Sequence, residues 1–440
     1  MQPTSSDDML ARFLALHPRK IDLSLGRMLD LLAKLGHPER RLPPAIHVAG
    51  TNGKGSTVAF LRAMLEAGGR GVHVYTSPHL VHFHERIRLA APGGGRLVDE
   101  ARLIDAFERC EAINAGAPIT VFEITTAAAL LLFSEIPADF LLLEVGLGGR
   151  FDATNVIDHP AAAVITPVSM DHPDYLGSTI AEIAAVKAGI IKAGAPAIVA
   201  RQDDDAMRPI EREARRTGVT LCVAERDFFL RAENGRFVFE DAQGLLDLPL
   251  PRLAGRHQID NAGLAIATLR RVVPTLTNSH YEQGVLHADW PARLQHLTRG
   301  ALVARAPGGA EFWLDGAHNE AGGRVLAEAM GDFEERRARP LVLICGSLST
   351  KDTAAFLRCF AGLAQEVLAV PIHGEHGGRS AQEVALLAQT AGLPAAACES
   401  VEQALDFLAA RDWPVAPRIL ITGSLYLAGD VLAANGTPPD

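Results

Sequence analysis

The chain has 440 residues, a length that favours two domains over a single core. Its 48% hydrophobic and 21% charged residues are typical of a soluble globular protein, and the formal net charge of -10 argues against a broad basic surface for nucleic acid. Residues 1–8 do not resemble a signal peptide, and no apolar run reaches about 18 residues, so we expect a cytoplasmic protein without a membrane span. The five cysteines are scattered and form no CxxC pair, which predicts reduced thiols.

The first part of the chain alternates strand, turn and helix. An apolar run at 46–49 leads into a glycine-rich turn, and a helical pattern follows at 56–65. Further strands are predicted at 72–75, 140–145, 161–166 and 196–200. Because these runs are apolar on both faces and are separated by helical stretches, they predict a parallel sheet covered on both sides.

The remaining chain contains a polar stretch and then a second α/β series. Residues 220–250 predict short antiparallel strands, and a helix is predicted near 261–272. Later strands are predicted at 312–314, 341–345, 366–370 and 418–422. We therefore predict an α/β protein with a P-loop nucleotide-binding domain and a mainly parallel sheet at 1–297. A smaller, Rossmann-like α/β domain is predicted at 298–435.

The glycine-rich turn between the first strand and its helix is a phosphate-binding signal. This phosphate loop consists of Gly50, Thr51, Asn52, Gly53, Lys54, Gly55 and Ser56. Such a turn points backbone N–H groups and a helix dipole at phosphate oxygens. Lys54 adds a positive charge for the β- and γ-phosphates, and Ser56 adds a hydroxyl near the metal ion. Gly55 makes the spacing tighter than in GxxxxGK[ST], but strand, lysine and helix together favour nucleotide binding over a plain surface turn.

Polar residues follow neighbouring predicted strands at the same edge of the sheet. Ser77 follows strand 72–75, and Glu144 ends strand 140–145. Asp171 and His172 follow strand 161–166 in the same way. Ligands of open α/β sheets bind at this edge, and a hydroxyl, a carboxylate and an imidazole suit a divalent cation held together with phosphates.

Each of these residues also has a purely structural interpretation. Ser77 would cap a turn, Glu144 would pair with Arg150, and His172 would begin a helix. Lys187, at an apolar helix end, would be a solvated lysine, a cation beside phosphates, or a carbamate formed with CO2 that ligates the metal. The residue types leave these alternatives open, although the shared position of the first three favours a function.

The motifs resemble those of the folylpolyglutamate synthase family, and most closely its bacterial bifunctional members that also act as dihydrofolate synthases. These enzymes are grouped with the Mur ligases. The matching segments follow one order along nearly the whole chain: IDLSL at 21–25, the phosphate loop, SPHL at 77–80, FE at 122–123, EVGLGGRFDATN at 144–155, DH at 171–172, KAGI at 187–190, NA at 261–262, Arg293, DGAHN at 315–319 and GS at 423–424.

The resemblance implies a role for residues in both predicted domains. The implied magnesium ligands are Ser56, Ser77, Glu144, His172 and Lys187, with Lys187 as a carbamylated lysine. The implied nucleotide contacts beyond the phosphate loop are Asn261, Arg293 and Asp315. The implied residues on the pterin side are Asp22, Leu23, Ser24, Leu25, Phe122, Asp152, Ala153, Thr154 and Asn155. His318 and Ser424 match positions where the incoming glutamate is expected.

The implied activity joins a carboxylate to the amine of L-glutamate with ATP and Mg2+. The carboxylate of dihydropteroate or of a reduced folate attacks the γ-phosphorus and forms an acyl phosphate, which the amine then displaces. Lys54, Lys187 and His318 are the implied catalytic residues, with His318 as the base. One departure from the family is Val186, where glutamate commonly precedes the carbamylated lysine. We expect a monomer without nucleic-acid or membrane partners.

Two other functions are weighed against this one. A Mur-type ligase for UDP-sugar peptides needs an additional N-terminal domain, and too few residues precede the phosphate loop for one. A regulatory nucleotide-binding protein without ligase chemistry is disfavoured by the joint presence of Glu144, His172 and Lys187.

Overall fold

The computed structural model describes residues 5–17, 21–374 and 377–439. The chain forms two compact units. The first comprises Met1–Arg252 and Ile259–Asp289, and the second comprises Leu253–Gln258 and Trp290–Asp440. The domain limits predicted from the sequence, 1–297 and 298–435, stay a prediction; in the structure the chain passes to the second unit after Asp289, and a short earlier segment also groups with it.

Strands and helices alternate through much of the first unit. Its strands are β1 (Ala45–Ala49), β2 (Val72–Tyr75), β3 (Ile87–Leu89), β4 (Arg96–Leu97), β5 (Phe140–Glu144), β6 (Ala162–Ile165), β7 (Ala197–Val199), β8 (Leu221–Val223), β9 (Phe228–Glu233), β10 (Arg236–Asp241) and β11 (Gly244–Pro249). Its helices are α1 (Ser6–Leu14), α2 (Gly26–Lys34), α3 (Lys54–Ala67), α4 (Glu100–Asn114), α5 (Val121–Glu135), α6 (Pro173–Leu176), α7 (Ile180–Lys187), α8 (Asp204–Thr217), α9 (His257–Val272) and α10 (Asn278–His287). Helix α9 begins in the segment that groups with the second unit.

The second unit repeats this alternation. Its strands are β12 (Gln295–His296), β13 (Glu311–Leu314), β14 (Leu341–Cys345), β15 (Ala364–Ala369), β16 (Ala395–Ala397) and β17 (Arg418–Thr422). Its helices are α11 (Glu320–Arg336), α12 (Thr353–Arg358), α13 (Ala381–Thr390), α14 (Val401–Ala409) and α15 (Leu425–Ala434).

The large sheet of the first unit has the order β4-β3-β2-β5-β1-β6-β7-β8. The pairs from β2 to β8 are parallel, whereas β3 and β4 are antiparallel additions at one edge. Strands β9 to β11 form a separate antiparallel sheet, as the polar composition of residues 220–250 predicted. The predicted α/β fold with a mainly parallel sheet is confirmed.

Burial explains why the central strands are apolar on both faces. Along β1 every residue is buried, and alternate side chains point to opposite faces of the sheet. On one face of the sheet the buried apolar side chains form two clusters. In the first, β5 packs against α1, α2, α4 and α5. In the second, β6 and β7 pack against α7 and α8. Because these helices pack against the strands, they fix the positions of the strand ends from which the loops at the carboxyl edge start.

The second unit has a six-stranded sheet with the order β12-β13-β17-β14-β15-β16. Only β12 runs antiparallel to its neighbour. Its arrangement confirms the prediction of a second α/β domain. In the part of the chain that the structure describes, no helix combines the length and the apolar character needed to cross a membrane.

Candidate active site

The phosphate loop lies between β1 and α3, where two of its glycines meet other segments closely. A Cβ atom on Gly50 would lie 1.8 Å from Thr166 Oγ1. Gly53 has φ +87°, and a Cβ there would lie 2.5 Å from Asn261 Oδ1. Larger side chains are therefore excluded at both positions. The same contact brings Asn261, a predicted nucleotide contact, next to the phosphate loop.

Two lysines converge on one backbone oxygen of this loop. Lys54 Nζ donates to Gly50 O at 3.0 Å, and Lys187 Nζ donates to the same oxygen at 2.8 Å. Burial lowers the pKa of Lys187 to about 7, and the positive charge of Lys54 acts in the same direction. A large share of Lys187 is thus a neutral amine near pH 7, which is the form that reacts with CO2.

Four of the five predicted metal-binding residues, Ser56, Ser77, Glu144 and His172, lie at or after the carboxyl ends of four adjacent strands, β1, β2, β5 and β6, whereas Lys187 ends helix α7. Ser77 N donates to Glu144 Oε2 at 3.2 Å, and Glu144 is buried at the end of β5. Asp171 and His172 line a cleft together with the phosphate loop and Lys187. His172 Nε2 lies 3.7 Å from the carboxylate of Asp171. Among the described residues no three His, Cys, Asp or Glu side chains are already gathered as a metal cage.

This donor set nevertheless fits a hard divalent cation that is bound with phosphates. Hydroxyl, carboxylate and imidazole groups occupy neighbouring strand ends, and a cleft lined by the phosphate loop, Asp171 and His172 lies beside them. Mg2+ retains several water molecules and takes only a few protein ligands, so a complete protein cage is not required.

Thr51 ties the phosphate loop to the loop that carries His172. Its hydroxyl donates to Ser169 O at 3.0 Å and accepts from Ser169 N at 3.1 Å. The backbone N–H groups of Thr51 and Asn52 both donate to Pro167 O. Thr51, predicted as an ATP contact, therefore also fixes the distance between the two loops.

Gln202 holds the same loop from the other side. Its Nε2 donates to Thr166 O at 3.0 Å, and its Oε1 accepts from Val168 N at 3.0 Å. Sequence reasoning missed this residue, although it follows strand β7 at the edge where the other site residues were sought.

Replacement of Gln202 by leucine is expected to lower the free energy of unfolding by about 1–3 kcal/mol, because the buried backbone groups of Thr166 and Val168 lose their partners. Urea unfolding checks this value. Gln283→Leu, at an exposed position of α10, is the matched control. Equal unfolding midpoints for the two variants would show that Gln202 does not support the loop.

The loop of residues 146–149 is here named the glycine loop, and it is hydrogen-bonded to the carboxylate of Asp152. One carboxylate oxygen of Asp152 accepts from Leu147 N at 2.8 Å, and the other accepts from Thr154 N and Oγ1. The single proton of the Thr154 hydroxyl is used in its hydrogen bond to Asp152. His47 Nε2, which lies 2.9 Å from Thr154 Oγ1, must therefore be the donor in that second hydrogen bond. Asp152 and Thr154 are almost fully buried, so their predicted contact with the pterin stays a prediction.

Acid is expected to destabilise the protein through His47. Burial lowers the pKa of His47 to about 3 from an ordinary 6.5, so between these values only the unfolded chain binds the proton. Unfolding then becomes easier as the pH falls, by up to about 1.4 kcal/mol per pH unit. In His47→Gln, whose amide can still donate to Thr154, the free energy of unfolding should depend less steeply on pH between 6 and about 4.

The control for this experiment is His37→Gln, because His37 lies at the surface and pairs with Glu39. Denaturant unfolding at several pH values gives the slopes. Identical slopes for wild type and His47→Gln would contradict the assignment of His47 as a buried neutral ring.

Val186, the departure from the family pattern, packs against the glycine loop. A Cβ on Gly148 would lie 2.9 Å from Val186 Cγ1, and one on Gly149 would lie 2.8 Å from Lys187 O. Val186 O also accepts from Arg150 N at 2.9 Å. The end of α7 therefore contacts the glycine loop through the Val186 side chain and the Lys187 backbone, and it binds the following residue, Arg150, through Val186 O.

The predicted pterin-side residues gather around the glycine loop and α5. Leu23 packs with the cluster that includes Leu147, and Leu25 packs with the cluster that includes Phe122. A Cβ on Gly146 would lie 2.4 Å from Phe122 Cζ. The contacts of the remaining members are as follows: Asp22 pairs with Arg27, Ser24 N donates to Asp22 O, Ala153 is buried beside Val156, and Asn155 Nδ2 donates to Arg150 O and Gly189 O.

The predicted site residues of the second unit meet at the ends of β13 and β17. Asp315 is buried and accepts from Leu294 N and Ala317 N at 2.6 and 2.7 Å. Burial raises the pKa of Asp315, and the charge of Arg293 opposes that rise. The side chains of Arg293 and Asp315 therefore lie close to the turn that carries His318.

His318 and Ser424 are brought together by the backbone of this turn. His318 Nδ1 lies 2.9 Å from Gly316 O, and Gly423 N donates to Ala317 O at 3.0 Å. Ser424 is buried and caps α15 by accepting from Tyr426 N. Sequence reasoning missed His257, which lies near Arg293 in the second unit and whose pKa burial lowers to about 4.

Known proteins are similar to this chain in both sequence and fold. The Mur ligase middle domain matches residues 48–269. The dihydrofolate synthase/folylpolyglutamate synthase of Bacillus subtilis (strain 168) is 40% identical over 323 residues, which make up 70% of this chain and 71% of that protein.

Solved structures are similar over nearly the whole chain. E. coli FolC in complex with DHPP and ADP has a TM-score of 0.87 and 30% identity, with 98% of this chain and 97% of that chain covered. A bifunctional folylpolyglutamate synthase/dihydrofolate synthase with Mn, AMPPNP and L-glutamate bound has a TM-score of 0.83 and 30% identity, with 98% of both chains covered. The resemblance predicted from the motifs is confirmed, and the chain belongs to the dihydrofolate synthase/folylpolyglutamate synthase family, whose members carry the Mur ligase middle domain.

Proposed function

We propose that this protein ligates L-glutamate to dihydropteroate, forming dihydrofolate, and to the γ-carboxylate of reduced folates, forming folylpolyglutamates. ATP is the second substrate, and an acyl phosphate is the intermediate. The observation that carries the proposal is the convergence of Lys54 and Lys187 on Gly50 O, within a phosphate loop beside Asp171 and His172. A phosphate cradle with two lysines and a neighbouring carboxylate and imidazole suits phosphoryl transfer to a carboxylate.

The phosphate loop binds and orients ATP. Backbone N–H groups at the start of α3 and the Lys54 ammonium group face the phosphates, and they neutralise the charge that moves during transfer. Ser56, Ser77, Glu144, His172 and a carbamylated Lys187 are the residues that would hold Mg2+. When bound, the ion supplies a positive charge to the phosphate oxygens.

Residues of the second unit serve the incoming glutamate and the nucleotide. We assign Arg293 and Asp315 to the nucleotide, and His318 and Ser424 to glutamate. Since Gly316 O can only accept, His318 Nδ1 carries a proton, and Nε2 of the neutral ring has a lone pair. This tautomer supports the role of His318 as the base that takes a proton from the glutamate ammonium group.

We further propose that the protein acts as a monomer in the cytoplasm, without nucleic-acid or membrane partners. The net charge of -10 and the absence of CxxC pairs support this environment. The number of glutamates added to each folate depends on this same site. One site can bind both dihydropteroate and a reduced folate, because each of them ends in a carboxylate.

The experiment that tests the function supplies purified protein with ATP, Mg2+, L-glutamate and either dihydropteroate or tetrahydrofolate. We expect ADP, phosphate and one glutamylated product for each acceptor. ATP binding without product from any pterin acceptor would favour the alternative of a regulatory nucleotide-binding protein.

A further inference from the structure

The site predicted from the sequence includes residues 22–25, here named the substrate segment. Arg27, which follows this segment, belongs to none of the predicted sets. Its guanidinium group joins the substrate segment to the start of α5, where Phe122 lies. We propose that Arg27 is a positioning residue for the pteroate or folate substrate, an inference that rests on the proposed function.

Arg27 makes a forked contact with Glu123 on one side. Nε donates to Glu123 Oε2 at 3.1 Å, and Nη2 donates to Glu123 Oε1 at 3.0 Å. The Glu123 carboxylate is 4% exposed and also accepts from Thr120 N and Oγ1. This arrangement fixes the guanidinium plane, because a planar fork matches a carboxylate in only a few orientations.

The remaining donors of Arg27 hold the substrate segment. Nη1 donates to Asp22 Oδ2 at 3.1 Å, and Nη2 donates to Asp22 O at 3.0 Å. His17 Nε2 lies 3.4 Å from the same carboxylate. Arg27 therefore binds both the side chain and the backbone of Asp22, which sets where this end of the substrate segment lies.

The local sequence gives Arg27 no role in stabilising its own helix. It is the second residue of α2, whose first turn contains no acidic residue and whose N-cap, Leu25, makes no side-chain hydrogen bond. A cation in the first turn of a helix opposes the helix dipole. The position is thus explained by the contacts of Arg27 with Asp22 and Glu123 rather than by helix propensity.

The contacts continue from Arg27 towards the reaction cleft. Glu123 is adjacent in sequence to Phe122, whose ring lies against Gly146. The glycine loop lines the same cleft as Lys54 and Lys187. Leu23 packs with the cluster that contains Leu147. Arg27 thereby holds the substrate segment and Phe122 in one arrangement beside that cleft.

The test replaces Arg27 with methionine, which keeps the length and removes the fork. We expect the KM for dihydropteroate to rise about 10- to 100-fold, while the KM for ATP stays close to wild type. Equilibrium binding of dihydropteroate, followed by fluorescence, should weaken by a similar factor. Arg27→Lys should recover part of the loss, because it keeps the charge but not the forked geometry.

Two further variants keep the result interpretable. The double variant Arg27→Met with Glu123→Gln removes the buried carboxylate that would be left without its partner, so it guards against misfolding of the single variant. Arg12→Met breaks a similar forked pair with Glu111 that joins α1 to α4, and it should change neither KM.

The outcomes separate this inference from the proposed function. If the wild type ligates glutamate but Arg27→Met and the double variant keep the wild-type KM for dihydropteroate, Arg27 has no positioning role. A parallel rise of both KM values with a lowered melting temperature would assign Arg27 to general stability only and would also overturn the inference. A wild type that forms no ligation product contradicts the proposed function itself.

Discussion

Replacement of Lys54 by alanine is expected to lower kcat/KM for ATP-dependent ligation by about 100- to 1,000-fold. The Lys54 ammonium group lies at the start of α3, where it holds the phosphate loop through Gly50 O and Thr51 O. In the reaction the same group faces the transferred phosphoryl charge, and alanine cannot replace that charge. Release of ADP and of phosphate, measured with dihydropteroate and L-glutamate, gives the rate.

The fold should tolerate this change. Lys54 is only partly buried, and alanine is a good helix former, so the far-UV circular dichroism and the melting temperature should stay near wild type. Lys34→Ala, at the exposed end of α2, is the control for the loss of a lysine. Turnover at the wild-type rate in Lys54→Ala would remove the phosphate loop from the mechanism.

Replacement of Lys187 by alanine is expected to lower activity by at least about 100-fold. Lys187 is 4% exposed, and its amine approaches Gly50 O beside the proposed metal site. If the functional form is a carbamate, the variant lacks a carboxylate-like ligand rather than a cation. Acetate or formate should then restore part of the activity, because the space left by the side chain can admit a small carboxylate.

Two comparisons distinguish the carbamate from a lysine cation. Lys187→Met fills the space with an apolar chain, so acetate should not restore its activity. Ethylammonium should not rescue Lys187→Ala. Rescue by ethylammonium and not by acetate would contradict the carbamate and assign Lys187 as a cation. A mass increase of one CO2 on the intact wild-type chain, which is lost in Lys187→Met, is an independent readout.

The role of Val186 follows from the same geometry. The structure anchors this end of α7 through backbone atoms, namely Val186 O with Arg150 N and Lys187 O close to Gly149. The Val186 side chain packs against Gly148, and the assignment of Lys187 as a carbamylated metal ligand stays a prediction.

The candidate site was predictable from the sequence where its residues follow strands. The phosphate loop, Ser77, Glu144 and His172 lie at the carboxyl ends of four adjacent strands, as the alternation of apolar runs and helices predicted. Local patterns suffice there, because parallel strands bring their carboxyl ends to one edge whatever the details of packing.

Contacts between distant segments were not predictable in this way. Arg27 and Glu123 are 96 residues apart, and Thr51 and Ser169 are 118 apart. Each pair meets through hydrogen bonds of a polar side chain, and neither hydrophobic periodicity nor turn chemistry predicts which distant residue that side chain will bind. The hydrogen bonds of the Asp152 carboxylate to Leu147 N and to Thr154 were not predicted either, and its contact with the pterin stays a prediction.

The sequence by itself thus determined the class of fold, the phosphate loop and the edge of the sheet where the chemistry occurs. The tertiary structure alone decided which residues support that edge: Gln202, Thr51, His47 and Arg27. The physical reason is that burial periodicity places the strands and helices. The positions of their loops depend on a few polar contacts between residues that are far apart in the sequence.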